Sequence, residues 1–237
     1  MSKLTKIGLP IALLFVWVLT SSGILSVDRM ILQMESQSLH RGKVVRIKAD
    51  LYYQAMTGRL LTNYLIPEGS IIITNRKGEV VIYNKKENSV RYMQGAEFST
   101  EANLIHFFLQ GMTHDLGLRD MGFSLTNTEV RDGLVITEWF PPANLYGMFS
   151  HIKLVHQDFL PIYAAYYDAQ EKLVKKVYYS NFQNIFDVAL PTLITEFQYV
   201  GNDSIVNRIR FSNIRVNQNA NSQWFNFEIP VDAKKIQ

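Results

Sequence analysis

The sequence of 237 residues contains no cysteine. Disulfide bonds, thiolate metal sites and cysteine nucleophiles are therefore all excluded. An N-terminal cysteine that carries lipid is excluded as well, so the chain is not itself a lipoprotein of that kind. Charge of one sign is also scarce, because the net charge is only +3 and no block of Lys or Arg exceeds a short doublet. Such a weak basic surplus argues against nucleic-acid binding.

Motifs for common active sites are missing too. The sequence has no GxGxxG or GxxxxGK[ST] motif for nucleotide phosphates, no GxSxG elbow and no HExxH metal pair. His151 and His156 are five residues apart in a predicted strand, so their side chains are expected to face opposite sides. We therefore predict that the protein is not an enzyme and uses no cofactor or metal ion.

Two acidic regions keep a hydrolase open as an alternative. Glu138 shares the apolar side of the predicted strand 134–140, where burial would raise its pKa toward that of a general acid. More often such a carboxylate lies at a cavity mouth or pairs with an arginine. His114, Asp115 and Asp120 share a short loop and offer metal ligands, although a polar loop after a helix is the simpler interpretation.

The N-terminus is a basic start followed by a long uncharged run. Lys3 and Lys6 precede residues 7–25, in which no charge occurs. This layout is typical of a signal peptide, with Ser21 and Gly23 as the small residues of a cleavage site. The run of about 19 residues also just reaches the length of a membrane-spanning helix, so an uncleaved anchor is the alternative.

Under either interpretation, the rest of the chain is exported across the membrane. Residues 1–26 are predicted to be a signal peptide or an N-terminal membrane anchor. Residues 27–237 are predicted to be a single domain, because no linker rich in Pro, Gly or Ser interrupts them. We expect this domain in the periplasm, either soluble after cleavage or tethered to the inner membrane.

Alternation of apolar and polar residues dominates the domain. From Val45 to Gln54 the odd positions are mostly apolar and the even positions mostly polar, which is typical of a strand with one dry face. Turn signals such as residues 75–78 and 201–204 separate further short runs. The pattern predicts roughly eleven strands and few helices, and so a mainly β fold.

Two helices are predicted. Met30, Ile31 and Met34, after Asp28, fit one face of a short amphipathic helix. The stronger candidate covers residues 98–112 and is apolar over more than half of its circumference. Such a helix must be buried on more than one side, or it must cover an apolar hollow.

Apolar side chains are predicted to line one face of consecutive strands. On the C-terminal strands the residues predicted on this face are Leu193, Phe197, Tyr199, Ile205, Ile209 and Phe211. An ordinary filled core is one interpretation. So little helix is available to cover a broad curved sheet, however, that an unfilled apolar cavity is expected.

Four short stretches carry a resemblance to a known family. They are the turn at residues 67–69, the strand at 79–83 that ends in tyrosine before the polar turn at 84–86, residues 160–162 (Leu-Pro-Ile), and the turn at Asp168. In this order, behind a signal segment and around an apolar helix, they resemble the LolA-like family of outer-membrane lipoprotein-sorting proteins and its relatives LolB and RseB. The arginines that the carriers have on early strands are absent at residues 63–68, so no lid-setting arginine is assigned.

The resemblance implies an unclosed β-barrel, in which a few helices cover a curved antiparallel sheet. It implies that a monomer reversibly binds acyl chains of lipids or lipoproteins, with inner- or outer-membrane proteins as conceivable partners. A sensor or scaffold that binds a protein on the same fold is the alternative. Face assignment along strands and helix predicts these cavity or lid residues: Leu51, Tyr53, Leu104, Phe107, Phe108, Phe197 and Phe211.

Overall fold

The computed structural model describes residues 27–95, 99, 104–186 and 188–236. The predicted signal peptide or anchor, residues 1–26, lies outside these ranges, as does most of the predicted start of the apolar helix. Fourteen strands of the described residues form one sheet. They are β1 Arg29–His40, β2 Lys43–Gln54, β3 Arg59–Ile66, β4 Glu68–Thr74, β5 Glu79–Asn84, β6 Ser89–Gln94, β7 Ser124–Arg131, β8 Leu134–Phe140, β9 His151–Gln157, β10 Leu160–Tyr167, β11 Leu173–Ile185, β12 Val188–Val200, β13 Asp203–Val216 and β14 Lys234–Lys235.

The order of the strands explains how the sheet stays open. Strands β1 to β6 form one meander and β7 to β13 form another, and the two meet where β1 pairs with β13. Consequently β6 and β7, which follow each other in the chain, lie at opposite ends of the sheet, with the short β14 added in parallel beside β6. The predicted mainly β, curved and unclosed sheet is confirmed.

The prediction of a helix after Asp28 is wrong, because Met30, Ile31 and Met34 belong to β1, a strand of 12 residues. Met30 and Leu32 are buried on one face of the sheet, while Ile31 is buried on the other. A strand that is covered on both faces is apolar at consecutive positions, which periodicity alone does not distinguish from a buried helix.

The predicted apolar helix is short in the described residues. Helix α1 spans Leu104–Leu109, and a 3₁₀ turn at Met112–His114 follows it. From there the chain turns back toward β7. None of the helices in the described ranges is long and apolar enough to span a bilayer.

One face of the sheet, here called the inner face, carries the larger apolar core. Its buried side chains come from β1, β2, β3 and β8 to β13, and they pack against residues between β6 and β7, among them Ile105, Phe108, Leu116 and Leu118. The segment that links the two ends of the sheet therefore covers its inner face. We call residues 104–123 the lid.

The outer face of β1 to β6 has a cover of its own. The C-terminal clasp, defined as residues 217–236, packs Phe225 against Tyr52 with the rings edge-on at 5.9 Å. The Arg59 side chain donates to the backbone carbonyls of Phe225 at 2.8 Å and Phe227 at 2.6 Å. Outer-face side chains of β1 to β6 such as Leu61, Ile71 and Val90 are therefore buried as well.

Candidate ligand-binding cavity

A cavity of about 450 Å³ lies between the inner face of the sheet and the lid. Two layers of mostly apolar side chains enclose it, with further residues from the loop before β9. The sheet contributes Ile152, Leu154, Tyr166, Lys175, Val177, Tyr179, Ile194, Glu196 and Ile209, the lid contributes Phe107, Leu116, Leu118, Met121 and Phe123, and the loop contributes Leu145 and Phe149.

The register of the strands sets the wall of the cavity. Val177 pairs with Glu196, Tyr179 with Ile194, and Ile194 with Ile209, so all five side chains share the inner face. Side chains alternate along each strand, and their immediate neighbours therefore face outward. The wall is the direct result of this pairing.

Phe107 and Phe108 occupy different places in the lid. Phe108 is fully buried, with its ring 6.0 Å from that of Tyr179 and 6.2 Å from that of Phe182. Phe107 instead lines the cavity. Its ring lies so close to Gly117, which has a φ of +77°, that a Cβ there would collide with it. Gly117 thus permits both the turn of the lid and the position of Phe107.

A buried carboxylate organises the turn of the lid. Asp115 accepts a hydrogen bond from the Gly117 amide at 3.0 Å, and it lies 3.3 Å from His114 Nε2 and 3.7 Å from Arg119 Nε. The Arg119 guanidinium lies 5.6 Å from the ring of Trp139 on β8. The described residues contain no group of three or more side chains suited to a metal ion. Here the acidic loop has a structural role.

Glu138 lies on the outer face, not the inner one. Its neighbours Thr137 and Trp139 are buried, whereas Glu138 pairs with Lys153 at 3.0 Å. The hydrogen bond from Lys153 holds the pKa of Glu138 below its ordinary value. The alternative of an inward carboxylate with a raised pKa is therefore wrong, because the apolar even positions of β8 lie on its outer side; Glu138 is an ion-paired residue, with lysine as its partner.

An ion pair interrupts the apolar wall. Lys175 Nζ lies 2.8 Å from a carboxylate oxygen of Glu196, and both side chains line the cavity. Lys175 Nζ is also 5.4 Å from the ring centre of Tyr166. Burial, with the nearby charge of Glu196, raises the pKa of Tyr166 to about 12, and burial raises that of Tyr179 well above its ordinary value. Both phenols therefore stay protonated.

The predicted site residues are only partly brought together. Phe107 lines the cavity, and Phe108, Leu51, Tyr53 and Phe211 are buried in the inner core beside it. Leu104 is the first residue of α1. The Tyr53 hydroxyl lies 3.4 Å from Nδ1 of His106, which connects β2 to α1.

Phe197 lies outside the cavity, contrary to the sequence prediction. It pairs with Lys176 and Val206 on the outer face, where its ring is 6.0 Å from that of Tyr178. The odd positions of β12 are more apolar than the even ones, which include Glu196. Sequence reasoning therefore selected the wrong face of this strand and missed the ion pair.

His156, on the inner side of β9, makes stability depend on pH. Its Nε2 donates to the Thr113 carbonyl at 2.8 Å, and burial lowers the pKa of His156 below its ordinary value of 6.5. The unfolded chain then binds the proton more readily than the folded one, so stability is lost as the pH falls from about 6.5 toward the lowered pKa. We expect His156→Gln to flatten this pH dependence in denaturant titrations. The control His151→Gln, on the outer side of the same strand, should leave it in place; equal slopes in both variants would contradict the assignment.

The curved, open sheet with a lid over an apolar cavity is the architecture that the resemblance to the LolA-like family implied. Comparison with solved structures agrees. A DUF1329 family protein from Desulfovibrio piger matches with a TM-score of 0.59 at 17% identity, over 85% of this chain and 91% of that one. An outer membrane lipoprotein-sorting protein domain from Vibrio parahaemolyticus matches with a TM-score of 0.59 at 13% identity, over 84% and 89%.

A LolA superfamily protein from Nitrosomonas europaea also matches, with a TM-score of 0.56 at 13% identity, over 81% of this chain and 87% of that one. The chain therefore has the LolA-like fold, as its sequence predicted. No protein-family model matches the sequence, and comparison with curated protein sequences gives no match. At these identities the structural likeness establishes the fold alone.

Proposed function

We propose that the protein is a periplasmic carrier that reversibly binds acyl chains of lipids or lipoproteins and catalyses no reaction. The observation that carries the proposal is the lid-covered apolar cavity of about 450 Å³ on the inner face of a LolA-like sheet. Its volume lies in the range of small-molecule sites, roughly 300–1,000 Å³. The Vibrio parahaemolyticus neighbour, described as a lipoprotein-sorting domain, adds support for this class of ligand.

The apolar wall suits exchange with a membrane. Removing a methylene from water contributes about 0.8 kcal/mol, whether it enters a bilayer or a dry protein cavity. An acyl chain therefore gains little in either direction when it passes between the two. Delivery in outer-membrane lipoprotein sorting would use this balance, with the lid opening to admit the chain.

A partner-binding sensor or scaffold is the second candidate, because one part of the outer face is aromatic. Tyr163, Tyr178, Phe197 and Tyr199 lie together on β10 to β12, and the Lys176 ammonium lies 4.8 Å from the Phe197 ring centre. Tyrosine and phenylalanine are enriched in protein interfaces. A membrane protein that hands over or receives the ligand would fit such a surface.

Native mass spectrometry of protein purified from the membrane-adjacent fraction tests the carrier. We expect the wild type to carry acyl lipid or lipopeptide at near-stoichiometric amounts, identified after organic extraction. Ile209→Trp, which places an indole in the cavity, should reduce the bound fraction about tenfold or more, since tenfold corresponds to only about 1.4 kcal/mol. The control Val206→Trp adds the same side chain to the outer face of β13 and should retain the ligand.

A wild-type protein without ligand that also fails to take up added lipid or lipopeptide would exclude the carrier. Capture of a defined membrane protein by such a protein, lost on substitution of Tyr178, would then favour the sensor. Equal loss of ligand in Ile209→Trp and Val206→Trp would place the binding site elsewhere.

A further inference from the structure

The ion pair in the cavity wall deepens the proposed function by indicating what the acyl chain is attached to. We propose that Lys175 and Glu196 select ligands whose head group is uncharged and both donates and accepts hydrogen bonds, such as an amide or a glycerol ester. The proposal rests on acyl-chain binding in the same cavity. It predicts that free fatty acids and long-chain amines are poor ligands.

The position of the pair supports this role. Lys175 and Glu196 belong to adjacent strands and lie in a wall whose other members include Val177, Ile194 and Ile209. Their side chains keep 37% and 23% of their surface exposed, so each ion is accessible from the cavity. A chain lying along the aliphatic residues would bring its polar end to these two groups.

Lys175 Nζ and a carboxylate oxygen of Glu196 are 2.8 Å apart, so the two opposite charges neutralise each other. The other carboxylate oxygen of Glu196 is 3.4 Å from the Asn207 amide nitrogen, so both oxygens already have donors. An anionic head group attracted to Lys175 would meet Glu196 at nearly the same distance, and a cationic one would meet Lys175. Either case leaves one net charge beside a mostly apolar wall, which a neutral head group avoids.

A neutral head group with a donor and an acceptor avoids this conflict. Its donor can bond to Glu196 and its acceptor to Lys175 while the two ions remain paired. Hydrogen bonds to ionised partners are stronger than those between neutral groups. Because the methylenes gain almost nothing over a membrane, these polar contacts decide which lipid the cavity extracts.

The test compares three ligands with the same chain and different head groups. The delipidated full-length protein is titrated with monolauroylglycerol, lauric acid and laurylamine at about pH 8, where the acid is ionised and the amine protonated. We expect the glyceride to bind about tenfold or more tightly than either charged ligand. Glu196→Gln should then favour laurate, and Lys175→Met should favour laurylamine, each by about tenfold.

Two further variants separate selection from stability. Lys176→Met removes the neighbouring ammonium from the outer face and should leave the ranking of ligands unchanged. The double variant Lys175→Gln and Glu196→Gln removes both ions, so it should weaken binding of the glyceride, whose hydrogen bonds then join neutral groups only, while laurate remains a poor ligand. Thermal unfolding of each variant verifies that it is folded.

Equal affinity for all three ligands, unchanged in Glu196→Gln and Lys175→Met, would overturn the inference and leave acyl-chain binding intact. Binding of none of them would reject the proposed function, and the inference with it. A ranking that shifts in Lys176→Met as much as in Lys175→Met would also overturn it, because the effect would not depend on the cavity.

Discussion

Phe108→Ala is expected to lower the free energy of unfolding by about 3–5 kcal/mol, the usual cost of removing a fully buried phenylalanine. The ring is completely enclosed and packs edge-on to Tyr179 and against Phe182. Phe108 thereby attaches α1 to β11. Chemical denaturation followed by tryptophan fluorescence measures the change.

The control for this variant is Phe159→Ala, which removes the same side chain from a position that is 93% exposed. We expect it to change stability by less than about 0.5 kcal/mol, as for most surface substitutions. A loss below about 1 kcal/mol in Phe108→Ala would contradict the packing of the lid. If the lid opens during exchange, Phe108→Ala should also release bound lipid faster.

Phe225→Ala is expected to destabilise the protein by a similar amount, about 3–5 kcal/mol, from the other face of the sheet. Phe225 is 4% exposed, contacts Tyr52 edge-on, and lies 5.4 Å from the Arg29 guanidinium. Its loss should loosen the clasp and expose outer-face residues such as Leu61 and Ile71. An apolar patch of this kind promotes association, which light scattering detects along with the shift in the denaturation midpoint.

Val231→Ala is the matched control, because Val231 lies in the same clasp and is fully exposed. It should leave both stability and solubility unchanged. If Phe225→Ala behaved like Val231→Ala, the clasp would not be a structural part of the domain. Ligand binding by a folded Phe225→Ala protein should persist, since the cavity lies on the opposite face.

The sequence predicted the features that depend on one dry and one wet face. The alternation from Val45 to Gln54 corresponds to β2, whose Leu51 and Tyr53 are buried on the inner face. The sequence did not predict β1 as a strand, because both faces of β1 are covered and its residues therefore do not alternate between apolar and polar. The alternation also gives little sign of β7, Ser124–Arg131, because this edge strand is mostly exposed on both faces.

The sequence predicted a covered apolar cavity, but it did not predict most of the residues that line the cavity. An apolar segment between the two meanders indicated a cover, and Phe107 does line the cavity. The ion pair was not predictable, because it requires the register of β11 and β12 and the choice of the less apolar face of β12. A one-residue change of register moves every side chain to the other face, and composition does not fix that register.

The pairing of β1 with β13 also sets the order in which the molecule can assemble. Met34 opposes Phe211, so the seam at the middle of the sheet joins residues that are far apart in the chain. The meanders β1 to β6 and β7 to β13 consist of local hairpins and can form early, whereas contacts of such long separation form slowly. A chain delivered from its N-terminus therefore holds β1 with one edge unpaired until β13 arrives, and only then can the clasp close over the finished outer face. Chaperone protection of that edge would matter most in this interval, before the last strand is in place.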